Sequence, residues 1–157
     1  FQALGLISSH ALPDTDEGRS ARHKLAEEVI DTGSAAVANS MLPRLFAPDL
    51  PADESFIEQI RTIMLNTRPL GLIGALHGMA ARPDSTPLLP EISVPTLIII
   101  GDSDQIIPLQ RAEMTAAPIP NATLATIENA GHMPMLEQPH ATALAIRNFL
   151  LELNPWK

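Results

Sequence analysis

From residue 94 onward the chain alternates strand-like and helix-like patterns, and this alternation limits its fold more than any other feature. An apolar run rich in β-branched residues is followed by a short helical pattern, a second strand pattern and a long amphipathic pattern, over residues 94–100, 109–117, 122–127 and 135–153. Consecutive strands joined through helices form parallel pairs with right-handed crossovers. The sequence therefore predicts an α/β fold with a parallel sheet.

An aspartate and a histidine follow these two predicted strands, at the points where the strands end. Asp104 comes after the first strand in the motif GDSD, and His132 comes after the second in NAGHMP. Catalytic groups of parallel sheets lie at the carboxyl ends of the strands. An acid followed by a histidine is also the chain order of a triad whose nucleophile comes first. Because no Gly-x-Ser-x-Gly occurs in the sequence, we expect the nucleophile to lie upstream of Phe1.

The chain before residue 91 is predicted to be one short strand followed by helices. Residues 1–9 contain an apolar Leu-Gly-Leu-Ile run, which indicates a parallel strand covered on both faces. Periodicity and composition indicate four helical segments, over residues 20–30, 35–46, 53–66 and 68–81. Three prolines in residues 82–90 break any helix there and mark a connection back into the sheet.

Composition narrows the functional classes. The formal net charge is −8 and no run of Lys and Arg is present to neutralise phosphates, so we expect neither nucleic acid nor a membrane as a partner. The chain contains no cysteine, which excludes disulfides, thiolate catalysis and cysteine metal sites within this sequence. Residues 1–9 are too short for a membrane span and lack the positive flank of a signal peptide, and we expect a cytoplasmic protein.

The two strand-end motifs also carry a family resemblance. PTLIII followed by GDSDQIIP, and NAGHMPMLEQP before a final helix, resemble the C-terminal part of the α/β-hydrolase superfamily. FQALGLISSHA is similar to the strand after the nucleophile helix, and residues 22–46 resemble the helical cap of small esterases and enol-lactonases. The resemblance implies an α/β-hydrolase core over residues 1–12 and 91–157, with a helical cap and connection inserted over residues 13–90.

The resemblance also implies site residues and a reaction. Asp104 would be the triad acid and His132 the triad base, with the nucleophile before Phe1. The histidine would take the nucleophile's proton and return it to the leaving group, while the aspartate holds the imidazole in the correct tautomer. The implied enzyme cleaves a carboxylic ester or lactone of a small, fairly apolar substrate, and we expect no cofactor.

Residues next to the two motifs suggest local geometry and alternatives. Gly131 and Pro134 suit a tight, exposed turn around the histidine, and Gly101 suits a sharp turn at the strand end. Asp102 competes for the acid role, whereas Ser103 is a poor nucleophile candidate because it lies in the acid loop. A turn-capping aspartate and a packing histidine are the purely structural alternatives.

Two further residues are predicted to line the substrate pocket. His10 follows the first strand, together with Ser8 and Ser9, and Met133 lies beside the triad histidine. The other histidines are interpreted as surface or packing residues, namely His23, His77 and His140. Their spacing predicts no metal site.

Other functions stay open from the sequence alone. A haloalkane dehalogenase or an epoxide hydrolase would use the same C-terminal half with an aspartate nucleophile, and a perhydrolase would keep serine. Asp102 and Asp104 would also suit magnesium-dependent phosphoryl transfer, although no glycine-rich phosphate loop accompanies them. The non-enzymatic alternative is a truncated hydrolase fragment that serves as a binding or dimerisation module.

The first predicted strand also suggests association. Without strands before it, residues 3–8 would lie at an open sheet edge, and exposed edges recruit another strand. We therefore expect a homodimer through that edge, or association with the missing N-terminal half.

Overall fold

Three parallel strands form the predicted sheet in a computed structural model that describes residues 2–50 and 54–153. In their order across the sheet, the strands are β1 (Leu4–Ile7), β2 (Thr96–Gly101) and β3 (Ala122–Ile127). The register pairs Gly101 with Ile127, so that β2 and β3 end at the same edge of the sheet. The predicted α/β fold with a parallel sheet is confirmed.

Along the chain, the helices lie between these strands and after the last of them. They are α1 (Asp16–Thr32), α2 (Ala35–Leu45), α3 (Glu54–Leu65), α4 (Pro69–Ala80), α5 (Leu109–Ala116), α6 (Pro134–Glu137) and α7 (Pro139–Glu152), with a 3₁₀ helix over Thr86–Glu91. Across the residues that the structure describes, no helix is long and apolar enough to cross a bilayer.

The described residues divide into two compact units. Those of Phe1–Leu12, Arg44–Leu50 and Ser85–Lys157 form the first unit, which contains the sheet. Those of Pro13–Pro43 and Pro51–Asp84 form the second, which is helical. Arg44–Leu50 is therefore flanked in sequence by the second unit but packs within the first.

The core of the first unit lies on both faces of β2, which is buried along its whole length. Ile98 and Ile100 face one side and pack with Ala112 of α5. Leu97 and Ile99 face the other side and pack with a cluster that includes residues of α7. Because side chains alternate along a strand, a strand covered on both faces reads as a continuous apolar run.

The second unit is held together mainly by α1 and α4. Val29 of α1 and Leu76 of α4 are buried in one apolar cluster. Helix α1 begins after Thr15, whose Oγ1 accepts a hydrogen bond from the amide of Gly18 at 3.1 Å. It ends at Gly33, which has a φ of 69° that favours glycine.

Some local expectations are wrong, each for a physical reason. The long final helix is two helices, because Pro139 cannot continue α6 and instead starts α7. The proline-rich connection still forms a 3₁₀ helix over Thr86–Glu91, with Pro87 in its first turn, where proline is tolerated, and Pro90 inside it. Strand β1, by contrast, has alternately half-buried and exposed side chains, which fits an edge strand whose apolar faces are only partly covered within the described residues.

Candidate active site

Asp104 and His132 lie together, in the loops that follow β2 and β3. Asp104 Oδ2 lies 2.9 Å from His132 Nδ1. The Asp104 side chain is fully buried, whereas the His132 side chain is 19% exposed. The pair therefore combines an acid shielded from water with an imidazole that stays partly accessible.

Backbone amides determine how Asp104 is oriented. Its Oδ1 accepts hydrogen bonds from the amides of Ile106 at 2.8 Å and Ile107 at 2.9 Å, which leaves Oδ2 for His132. Burial raises the pKa of Asp104, but hydrogen bonds from His132 and from these two amides outweigh it and hold the pKa below its ordinary value. The side chain is therefore a carboxylate at neutral pH. Because a carboxylate only accepts hydrogen bonds, His132 Nδ1 carries the proton and Nε2 of the neutral ring carries the lone pair.

Two glycines allow three backbone segments to pack in direct contact at this site. A Cβ on Gly101 would lie 2.2 Å from the carbonyl oxygens of Ala130 and Gly131. A Cβ on Gly131 would lie 2.5 Å from the Ala47 nitrogen and 2.6 Å from the Phe46 carbonyl carbon. Neither glycine has a positive φ. A turn does begin at Gly101, whose carbonyl accepts a hydrogen bond from the Asp104 amide at 3.4 Å. Close backbone approach, and not a positive φ, is what requires glycine at both positions.

The histidine loop is also more buried than expected. Pro134, which we expected to belong to an exposed turn, is fully buried as the first residue of α6. Met133, predicted to line the pocket, is half-buried, and its amide donates a hydrogen bond to Glu137 Oε1 at 3.1 Å. The histidine is thus presented by a packed loop and not by a projecting turn.

The other predicted residues lie in defined contacts of the first unit. His10 is half-buried, and its Nε2 lies 3.3 Å from Arg111 Nη1 of α5. Because arginine only donates hydrogen bonds, Nε2 is the acceptor in this contact. Ser8 at the end of β1 has a φ of 46°, and its buried hydroxyl has no hydrogen-bond partner among the described residues.

The two alternatives in the acid loop contact each other instead of the imidazole. Asp102 Oδ1 accepts hydrogen bonds from the Ser103 hydroxyl at 3.0 Å and from the Ala130 amide at 3.4 Å. These contacts place Asp102 against the backbone of the histidine loop, and they leave Asp104 as the carboxylate that faces His132.

Glu137 is a buried residue of this region that is not among the predicted site residues. Its carboxylate accepts hydrogen bonds from the amides of Ala47 and Gly131, in addition to that of Met133. Its place inside NAGHMPMLEQP, a motif that carries the family resemblance, is its only signal in the sequence. Burial of that acid depends on how α6 folds back on the loop, which periodicity does not reveal.

A metal centre is not formed in the described parts of the chain, residues 2–50 and 54–153. No three His, Asp or Glu side chains there come close enough to hold an ion. His23 and His77 do contact each other on the surface of the second unit, with their Nδ1 atoms 3.2 Å apart.

Comparisons with known proteins agree with this architecture. The profile of the alpha/beta hydrolase family matches residues 5–145. A thermophilic esterase from Thermogutta terrifontis is 38% identical with a TM-score of 0.90, over 97% of this chain and 56% of that one. An enol-lactonase from Burkholderia xenovorans LB400 shares the fold at 24% identity, with a TM-score of 0.85 over 96% of this chain and 56% of that one.

A shorter match is found to a monoacylglycerol lipase from Homo sapiens, which is 39% identical over 64 residues. That match covers 41% of this chain and 19% of the lipase. The chain thus spans about half the length of the esterase and matches a smaller share of the lipase.

Proposed function

The chain belongs to the alpha/beta hydrolase family, and from this membership we propose that the whole protein cleaves a carboxylic ester or lactone with a serine–histidine–aspartate triad. Asp104 supplies the acid and His132 the base, and the serine lies before Phe1. The observation that carries the proposal is the 2.9 Å contact between Asp104 Oδ2 and His132 Nδ1. Similarity to an esterase and to a lipase supports a hydrolase.

In the proposed reaction His132 transfers one proton in each of the two half-reactions. Its Nε2 accepts the proton of the serine hydroxyl as the oxygen attacks the substrate carbonyl, and then gives that proton to the departing alkoxide. Water then attacks the acyl carbonyl while Nε2 takes one of its protons, and this proton passes to the serine oxygen as the acyl–serine bond breaks and the acid product leaves. Asp104 stays ionised throughout and stabilises the imidazolium that forms. The amides of Ile106 and Ile107 on Oδ1 keep the carboxylate from rotating away.

The proposed substrate is small and fairly apolar. We assign the helical unit of Pro13–Pro43 and Pro51–Asp84 the role of a cap, and Met133 and His10 the role of pocket residues. The positive φ and the unpartnered buried hydroxyl of Ser8 support a pocket at the end of β1, because such backbone conformations and orphaned polar groups concentrate at functional sites.

The test uses the full-length protein and a serine-reactive fluorophosphonate. Intact-mass spectrometry should show one covalent adduct, with loss of ester hydrolysis as the adduct forms. His132→Ala should lower kcat by at least about 10³-fold. His140→Ala is the matched control, because His140 is an exposed histidine of α7 and should leave kcat unchanged.

The alternatives predict different results in the same experiment. Turnover of a haloalkane or an epoxide by protein that takes no fluorophosphonate adduct would indicate an aspartate nucleophile instead. Absence of both adduct and turnover would contradict the proposal and favour a non-catalytic binding module.

A further inference from the structure

We infer that Glu137 is a positioning residue for His132, an inference that rests on the proposed hydrolase function. Glu137 is the last residue of α6 and is buried. Its Oε2 accepts hydrogen bonds from the amides of Ala47 at 2.7 Å and Gly131 at 2.8 Å. Its Oε1 accepts one from the amide of Met133 at 3.1 Å. The carboxylate thereby holds the residues on both sides of the histidine.

Hydrogen bonds fix three consecutive amides of the histidine loop. Glu137 accepts hydrogen bonds from the amides of Gly131 and Met133. The amide of His132 itself donates to the Leu45 carbonyl at 3.1 Å. None of these bonds involves the imidazole. They set the position of the His132 backbone, and this position determines whether Nδ1 lies within hydrogen-bond distance of Asp104 Oδ2.

Only a carboxylate satisfies the surroundings of the Glu137 side chain. Three N–H groups donate to it, and its two oxygens accept all three without a hydrogen of their own. No cation forms an ion pair with Glu137 among the described residues, so these amides are its compensation for burial. A glutamine of the same size would turn an NH₂ group toward at least one amide and leave that donor unsatisfied.

The same carboxylate links the histidine loop to the acid loop. Ala47, which donates to Glu137, follows Phe46, and the Phe46 carbonyl accepts a hydrogen bond from Gln105 Nε2 at 3.1 Å. Gln105 is the residue directly after Asp104. Glu137 therefore binds both the histidine loop and the segment Phe46–Ala47, and Gln105 of the acid loop binds the same segment.

The test is Glu137→Gln in the full-length protein, with Glu128→Gln as the matched control, because Glu128 is exposed just after β3. For Glu137→Gln we expect kcat on an ester substrate to fall about 10²-fold with KM within about twofold, the scale of a small misplacement of a catalytic group. The proton NMR resonance of His132 Nδ1–H should shift or disappear, because its hydrogen bond to Asp104 changes. The control variant should change neither quantity.

Glu137→Asp is the second variant, since it keeps the charge but shortens the side chain by one methylene. It should lower kcat and shift the same resonance to a smaller extent than Glu137→Gln. A folded Glu137→Gln protein with wild-type kcat and resonance would overturn the inference. So would a variant with a lower Tm but unchanged kcat per folded molecule, or failure of both variants to fold, because each would mark Glu137 as a residue of the fold alone.

The NMR measurement separates this inference from the proposed function. If the wild-type protein hydrolyses no ester and takes no fluorophosphonate, the proposed function fails. Displacement of the His132 resonance by Glu137→Gln would still support the positioning role in that case, and an unchanged resonance would remove it.

Discussion

The hydrogen bond to Asp104 determines which ring nitrogen of His132 carries the proton, and a substitution can test this directly. Asn at position 104 keeps an oxygen for the amides of Ile106 and Ile107, but it turns an NH₂ group toward Nδ1. Nδ1 must then accept, Nε2 carries the proton, and the ring cannot take the proton of a nucleophile. We expect Asp104→Asn to lower kcat about 10⁴-fold in the full-length protein, with little change in KM.

Asp102→Asn is the control for this prediction. Asp102 Oδ1 contacts Ser103 and the Ala130 amide, and an asparagine oxygen can keep both contacts. Its kcat should stay within about threefold of the wild type, since no catalytic proton depends on it. A large loss for Asp102→Asn combined with a small loss for Asp104→Asn would move the acid role to Asp102.

The lowered pKa of Asp104 also predicts how stability depends on pH. A carboxyl whose pKa is lower in the folded state stabilises the fold above its unfolded pKa of about 3.9, and this contribution is lost as the pH falls through the folded value. The free energy of unfolding should therefore fall more steeply below about pH 4 for the wild type than for Asp104→Asn. Urea unfolding from pH 7 to pH 3 measures this difference. Parallel pH dependence of the two proteins would contradict it.

The pairing of Asp104 with His132 could be predicted at the residue scale, and the role of Glu137 could not. The first follows from topology, because consecutive parallel strands end at one edge of the sheet and carry their following loops together. The second depends on α6 folding back so that its last side chain meets the amides of the loop before it. Glu137 lies inside the motif NAGHMPMLEQP, but neither periodicity nor composition there indicates that its side chain is buried.

At the scale of elements, the histidine loop tolerates no side chain at position 131. A Cβ there would lie 2.5 Å from the Ala47 nitrogen and would press apart two backbone segments that Glu137 joins. We expect Gly131→Ala to lower the free energy of unfolding by about 1–3 kcal/mol, the usual cost of overpacking. Urea unfolding measures this loss, and kcat should fall with it.

Gly74→Ala is the matched control within α4. Gly74 is exposed, and no heavy atom lies within 4 Å of an added Cβ. Alanine should therefore raise the free energy of unfolding by about 0.5–1 kcal/mol, because glycine in a helix interior is destabilising. Equal stability of the two variants would show that the histidine loop can move away from Ala47.

The sequence predicts which segments form strands and which form helices, but it does not predict where a helix is interrupted. The run of β2 and the pattern of α5 follow from periodicity, and both are where the sequence places them to within a residue or two. The apolar pattern continues through Pro139, so periodicity predicts one helix where the proline ring separates α6 from α7.

At the scale of the whole molecule, β1 and β3 each pair with β2 alone, so both edges of the sheet are open within the described residues, and β1 forms one of them. The amides of Leu4 and Ser8 donate to Pro95 and Ile99 at 3.0 Å and 2.8 Å. Successive amides along a strand point to opposite sides. The amides of Gly5 and Ile7 therefore point away from β2 and can donate to another strand at this open edge. We propose that this edge pairs with a strand of the N-terminal half in the full-length protein, and with a second copy when the 157-residue chain is produced by itself.

Gly5→Pro tests this association, because proline removes an edge donor and is tolerated on edge strands. Gly5→Ala is the control, since it keeps the N–H group and its Cβ would meet no heavy atom within 4 Å. In sedimentation velocity at micromolar concentration, the 157-residue chain and Gly5→Ala should both sediment as dimers, and Gly5→Pro should sediment as a monomer. A monomeric wild-type chain would contradict edge pairing. Dimers that persist in Gly5→Pro would instead indicate association through the other sheet edge at β3 or through the exposed leucines of α7. These are Leu150 and Leu151, whose side chains are 49% and 64% exposed.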